Sequence, residues 1–131
     1  MKSAVHNIFF LICLACLTLV ACNQDKPVKA LEPKDFQAEV QKQQGVVLDV
    51  RTPEEFQEGH LPEAHNIDYK GDIFKGSLEQ LDKNKPYYVY CKSGVRSRKA
   101  AEIMQEMGFT QVYNMEGGID AWKKEGRPLN N

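Results

Sequence analysis

The feature that most constrains the fold is the alternation of short β-prone runs with helical patterns across residues 29–129. Val46–Val50 and Tyr87–Tyr90 are apolar runs of the kind found in buried parallel strands. Because strands that alternate with helices pair in parallel, the pattern predicts an α/β fold, a three-layer α/β/α domain around a small parallel β-sheet. The length of 131 residues is enough for one such domain.

The predicted helices are recognised by their periodicity and their ends. Pro33–Gln43 carries apolar residues one turn apart and is followed by Gly45 as a stop signal. Thr52–Glu55 is a capping box with proline at the first helical position. The other predicted elements are a weak strand at 64–67, a helix near 72–81, a helix after Cys91 that ends at Gly108, a strand at 110–114 and a last helix from Gly117 through Trp122.

The strand Tyr87–Tyr90 ends in a cysteine, Cys91, and a glycine follows three residues later, just before a helical pattern. This arrangement predicts a thiol at the carboxyl end of a strand, in a tight loop that leads into a helix N-terminus. The unpaired N–H groups and the dipole of such a terminus favour a negative charge. We therefore expect the pKa of Cys91 to be lowered and its thiolate to be the catalytic nucleophile.

The loop that follows the cysteine consists of Lys92, Ser93, Gly94, Val95 and Arg96. Arg96 and Lys92 are expected to attract an anionic donor, Arg96 with a bidentate grip; the alternative is that both are ordinary solvated surface. Gly94 is expected to supply a positive φ angle. The hydroxyl of Ser93 can donate to the sulfur or cap the helix.

Three further sites have predicted supporting roles. Ser97 is expected to cap the helix rather than to bind the sulfur. Asp49 and Arg51 stand at the end of a strand, where we expect an ion pair or a hydrogen-bond network that holds the strand-to-helix turn. His60 and His65 lack the paired spacing of zinc ligands, so neither a metal site nor a cofactor is expected.

The first 21 residues differ from the rest of the chain. Residues 1–21 combine a short positive start with an uncharged, mostly apolar run, the pattern of a secretory signal. The run ends in Leu19–Cys22, which resembles the lipobox of bacterial lipoprotein signal peptides and implies cleavage before Cys22 and lipidation of its sulfur. A plain signal peptide or an uncleaved anchor helix are the alternatives. Residues 22–28 are read as a tether, and the domain is expected outside the cytoplasm, in the periplasm or at the cell surface, lipid-anchored to a bacterial membrane.

This processing leaves Cys91 as the only free thiol of the mature chain, because Cys13 and Cys16 lie within the signal and Cys22 is lipidated. An intramolecular disulfide is then excluded, and a reactive thiol is favoured over a buried inert one. The net charge of −1, with its charges scattered, argues against nucleic-acid binding. We expect a monomer.

Four motifs in register resemble the single-domain rhodanese family of sulfurtransferases, from about Lys29 to Leu129. They are Asp49-Val50-Arg51 with Glu55-Phe56, the segment Gly59–Ile67, the loop segment Val89–Ser97, and Gly117–Trp122. In the second motif Glu63 replaces the family's usual glycine.

The resemblance implies that the cysteine accepts a sulfane sulfur as a persulfide. A donor such as thiosulfate leaves as sulfite, and a thiol or cyanide accepts the sulfur. Two alternatives remain: a persulfide carrier or binding module with little turnover, and a phosphatase or arsenate reductase. The second is less favoured because related dual-specificity phosphatases place one more residue than the four found here between Cys91 and Arg96, and a longer loop admits a tetrahedral phosphate.

Overall fold

The computed structural model describes residues 26–131. The predicted signal peptide, its lipidation site Cys22 and most of the tether lie outside the described residues. The strands are β1 (Lys29–Leu31), β2 (Val46–Asp49), β3 (His65–Asn66), β4 (Pro86–Tyr90) and β5 (Gln111–Met115). The helices are α1 (Pro33–Gln43), α2 (Pro53–Gln57), α3 (Phe74–Glu79), α4 (Val95–Glu106) and α5 (Gly118–Lys124).

The five strands form one parallel sheet in the order β1-β5-β4-β2-β3. Strand β4 is central and pairs with β2 on one side and β5 on the other. Its side chains alternate between the two faces, so that Tyr87 and Val89 enter one apolar cluster while Tyr88 and Tyr90 enter the other. The sheet is therefore buried on both faces, which confirms the predicted α/β fold.

The two apolar clusters assign the helices to faces. Ala100 and Met104 of α4 pack on the same face as Phe74 and Leu78 of α3. The side chains of α1 and α5 cover the opposite face, through Phe36, Ile119 and Trp122 among others. Since α3 and α4 bury apolar residues on one face of the sheet and α1 and α5 on the other, the domain has the three predicted layers.

Most predicted elements are present with boundaries shifted by a residue or two, and one strand was missed. The missed element is β1, a three-residue strand at the edge of the sheet. Three residues are too few for an alternating pattern to be recognised, and β1 is fixed only by pairing with the distant β5. Val28, the last residue of the predicted tether, packs against the core. No helix within residues 26–131 is long and apolar enough to cross a bilayer.

The backbone conformation of Glu63 explains why the second motif usually has a glycine at this position. Its φ angle is +60°, in the left-handed region that favours glycine. The turn between α2 and β3 requires a positive φ angle at this position, which a glycine adopts without strain. Glu63 keeps that conformation at a cost in strain.

Candidate active site

Cys91 follows directly on β4, at the carboxyl end of the central strand, and is 1% exposed. The main-chain N–H of Gly94 donates to its Sγ at 3.1 Å. The hydroxyl of Ser97 donates to the same atom at 3.3 Å. The thiol therefore lies inside the loop, held by groups that present hydrogen atoms to it.

Two opposing effects determine the pKa of the thiol. Burial is the largest single influence and raises the pKa of Cys91, because it disfavours the charged form. Hydrogen bonds from the Ser97 hydroxyl and from the main-chain N–H groups of Ser97, Gly94 and Ser93 act in the opposite direction. Together they outweigh burial, and the pKa of Cys91 lies below its ordinary value, as the loop pattern led us to expect.

The prediction that Ser97 caps helix α4 was wrong. The N-cap position is Gly94, with a φ angle of +95°, and no side chain caps the helix there. Ser97 is fully buried, and its hydroxyl points at the sulfur instead. Because Sγ accepts hydrogen bonds from the first turn of α4, the sulfur itself occupies the place that a capping side chain usually takes.

The N-terminus of α5 is hydrogen-bonded to the main chain of the active-site loop. The N–H of Ile119 donates to the carbonyl of Cys91 at 2.9 Å, and that of Asp120 donates to the carbonyl of Lys92 at 3.1 Å. These bonds fix the start of the loop against the first turn of α5. Gly118 makes the approach possible, since a Cβ atom there would lie 2.4 Å from the Lys92 carbonyl oxygen. The sequence analysis placed this glycine at the start of a helix and in the fourth motif, but it did not predict the contact with the loop.

Arg96 is not ordinary solvated surface, because its side chain is 20% exposed and is paired with a carboxylate. Its expected role in attracting an anionic donor stays a prediction. Its guanidinium donates to both carboxylate oxygens of Glu55, at 2.7 and 2.9 Å. The hydrogen bonds from Arg96 are the main reason that the pKa of Glu55 falls to about 2. Glu55 is itself held by the predicted capping box, in which it accepts from the N–H of Thr52. Lys92 is exposed, and so is the side chain of Ser93.

Asp49 and Arg51 form the predicted ion pair, at 2.6 Å between Nη2 and Oδ2, with both side chains buried. The same Nη2 donates to the carbonyl of Gly59 at 2.8 Å. Tyr90 joins this region, since its hydroxyl accepts from the N–H of Leu61 at 3.1 Å. The pair ties the start of the second motif to β2, and its side-chain hydrogen bonds run to this turn rather than to the sulfur.

Glu55 is the site residue that sequence reasoning missed. The capping box located its carboxylate at the start of α2, but its partner lies 41 positions away.

His60 and His65 were expected not to form a metal site. Within residues 26–131 no three histidine, cysteine or carboxylate side chains form a group that could hold a metal ion.

Comparison with known proteins bears directly on this loop. A family model described as Rhodanese-like domain matches residues 32–125. The chain is 44% identical over 84 residues to the putative sulfurtransferase YtwF of Bacillus subtilis, covering 64% of this chain and 79% of the relative. It is 30% identical over 93 residues to the thiosulfate sulfurtransferase GlpE of Vibrio cholerae, covering 71% and 86%.

Solved structures of similar fold point to the same family. A rhodanese-related protein from Thermoplasma volcanium superposes with a TM-score of 0.69 at 31% identity, covering 78% of this chain and 97% of that one. The polysulfide-sulfur transferase of Wolinella succinogenes gives 0.67 at 30% identity, covering 82% and 81%. The chain therefore belongs to the rhodanese family, whose members include sulfurtransferases.

Proposed function

We propose that the protein is a sulfurtransferase that moves a sulfane sulfur from thiosulfate or a persulfide donor to a thiol or cyanide acceptor through a persulfide on Cys91. The observation that carries this proposal is the concentration of hydrogen-bond donors on one buried sulfur. Ser97, Gly94 and Ser93 all favour its thiolate form. A thiolate available near neutral pH is the nucleophile that such a transfer requires.

In the first step, the Cys91 thiolate attacks the sulfane sulfur of the donor. A sulfur–sulfur bond forms to the cysteine as the donor's own bond to that sulfur breaks, and sulfite, or a thiolate from a persulfide donor, leaves with the electron pair. In the second step, the acceptor attacks the outer sulfur, and the Cys91 thiolate is the leaving group. The N–H groups of the loop stabilise the negative sulfur before and after each transfer.

The surroundings of the sulfur bear on the choice of donor. Cys91 is 1% exposed, so a donor has to present a narrow terminal sulfur to the mouth of the loop. Arg96 is engaged by Glu55, which leaves Lys92 as the exposed cation of the loop. This weakens the case for tight binding of the dianion thiosulfate and favours a persulfide donor. The same pairing is compatible with the carrier alternative, because a carrier would load stoichiometrically from a partner and turn over thiosulfate poorly.

The decisive experiment is cyanide-dependent thiocyanate production by residues 23–131, with Cys91→Ala as the matched control. We expect activity from the wild-type protein and none from the variant. Mass spectrometry after incubation with thiosulfate, or with a small organic persulfide, should show about 32 Da added to the peptide that contains Cys91, the mass of one sulfur atom. Activity that survives the substitution would refute the mechanism, and loading without turnover would identify a carrier.

The membrane attachment is a separate proposal, since Cys22 lies outside the described residues. We propose that lipidated Cys22 anchors the domain to an extracytoplasmic membrane surface, on the evidence of the lipobox pattern alone. In cells that express the full chain, Cys22→Ser is expected to abolish labelling by a fatty-acid analogue and to prevent processing. Labelling that persists in the variant would refute the assignment.

A further inference from the structure

Asn114 is a buried polar residue that the proposed chemistry does not use. It lies near the carboxyl end of β5, paired with Val89 of β4 and Ala30 of β1, and it is 4% exposed. Its Nδ2 donates to the carbonyl oxygen of Gly94 at 3.3 Å. Asn114 thus connects the sheet to the residue whose N–H binds the catalytic sulfur.

The backbone of Gly94 transmits this contact. The N–H and the carbonyl of Gly94 are separated by only two torsions, a φ of +95° and a ψ of −5°. The carbonyl is held twice, by Asn114 and by the N–H of Arg98 at 3.2 Å. A Cβ atom on Gly94 would lie 3.2 Å from the Met115 carbonyl oxygen, so the residue also sits directly against the end of β5. With its carbonyl held, Gly94 has little freedom to rotate its N–H away from Sγ.

Stability does not explain an asparagine at this position. Asparagine has a low preference for strands, and Asn114 belongs to neither of the two apolar clusters that hold the sheet together. The second polar atom, Oδ1, is buried and has no hydrogen-bonding partner within the described residues. A buried acceptor without a partner costs free energy of folding. Such local costs are typical of residues that are kept for a functional site.

We propose that Asn114 is a positioning residue for sulfur transfer: by holding the Gly94 carbonyl, it keeps the Gly94 N–H directed at the Sγ of Cys91. Asn114 does not touch the reacting atoms and acts only through Gly94. The inference rests on the proposed function, in which this N–H stabilises the negative sulfur before and after transfer.

The test compares Asn114→Leu, which is close in size and removes both polar atoms without adding a charge, with Asn114→Asp, which keeps the shape and loses the donor but adds a carboxylate that disfavours a nearby thiolate by repulsion. Val112→Ala is the control, because Val112 is a buried residue of the same strand that points to the same face. Each protein is alkylated with iodoacetamide across a pH series to obtain the pKa of Cys91. Stability is measured by urea denaturation, and sulfur loading by mass spectrometry.

We expect both Asn114 variants to raise the pKa of Cys91 by about 0.5 to 1, which lowers the alkylation rate about 3- to 10-fold at pH values below that pKa. The rate of sulfur loading should fall by a similar factor. Asn114→Leu should lose no stability, since it removes the unpartnered oxygen. Val112→Ala should lose stability and keep the wild-type thiol pKa.

Three results would overturn the proposal. The first is a wild-type thiol pKa in Asn114→Leu, whatever the charged Asn114→Asp shows. The second is an equal rise of the thiol pKa in Val112→Ala. The third is loss of the native circular-dichroism spectrum in both Asn114 variants, which would make Asn114 a residue needed for folding. The proposed function fails separately, if the wild-type protein never accepts sulfur on Cys91. In that case a raised pKa in the Asn114 variants would still establish the positioning effect.

Discussion

The ion pair between Glu55 and Arg96 gives the sharpest prediction, because it joins helix α2 to the active-site loop. Glu55→Gln removes the negative charge while its amide oxygen can still accept from the N–H of Thr52 in the capping box. The variant therefore tests the pairing with Arg96 and leaves the cap in place.

The expected magnitude follows from the pKa of Glu55, which falls from its ordinary 4.5 to about 2, chiefly through the hydrogen bonds from Arg96. Taken at face value, this shift corresponds to about 3 kcal/mol of folding free energy. The two side chains are 20% and 27% exposed, so solvent screening reduces the contribution to about 1–2 kcal/mol. We expect Glu55→Gln to lose that amount at pH 7.

The pH dependence has a definite sign. Because the folded protein lowers the pKa of Glu55, the stabilisation is fully present above 4.5 and is lost as the pH falls towards about 2. The difference in free energy of unfolding between the wild-type protein and Glu55→Gln should thus shrink to about half by about pH 3. Urea denaturation of the two proteins between pH 7 and pH 3 measures it.

A double-mutant cycle with Arg96→Gln isolates the pair from other effects of each substitution. A coupling energy below about 0.3 kcal/mol would refute the reasoning, since that is the range of unremarkable surface pairs. So would a difference between the wild-type protein and Glu55→Gln that stays constant from pH 7 to pH 3.

Three further predictions concern single residues. Gly118→Ala should destabilise the protein by about 2–3 kcal/mol and slow sulfur loading, because its Cβ would collide with a loop carbonyl. Gly126→Ala is the matched control in denaturation, since Gly126 has a φ of +68° but open space around its Cβ. An equal loss of stability in both variants would refute the collision. Glu63→Gly should stabilise the protein by about 0.5–1 kcal/mol by relieving the +60° φ angle, and a lower unfolding midpoint would contradict this. Ser97→Ala should raise the pKa of Cys91 by about 1, measured by the pH dependence of alkylation; an unchanged profile would show that the hydroxyl does not stabilise the thiolate.

The sequence predicted what depends on neighbours along the chain. The capping box at Thr52 and the position of Cys91 after a buried strand both follow from residues within one short segment. The pairing of Arg96 with Glu55 could not be predicted in this way, because the carboxylate of Glu55 reaches the loop only once α2 and α4 have packed on the sheet.

Ser97 was misjudged for a related reason. Serine near a helix start usually caps it, and only the folded loop reveals that a sulfur atom already takes the hydrogen bonds of that turn. The edge strand β1 was missed because its identity comes from β5 rather than from its own three residues.

The use of Sγ as the acceptor for the first turn of α4 has a consequence for the reaction cycle. When Cys91 carries an extra sulfur, the formal charge moves outward by one bond, about 2 Å, and the inner atom becomes a weak, neutral acceptor. The same few amides then have to serve two charge positions in alternation. A cradle fitted too tightly to the resting anion would hinder loading, and one fitted to the outer atom would hinder discharge. Selection on such a loop is therefore expected to favour an intermediate geometry that matches neither state fully.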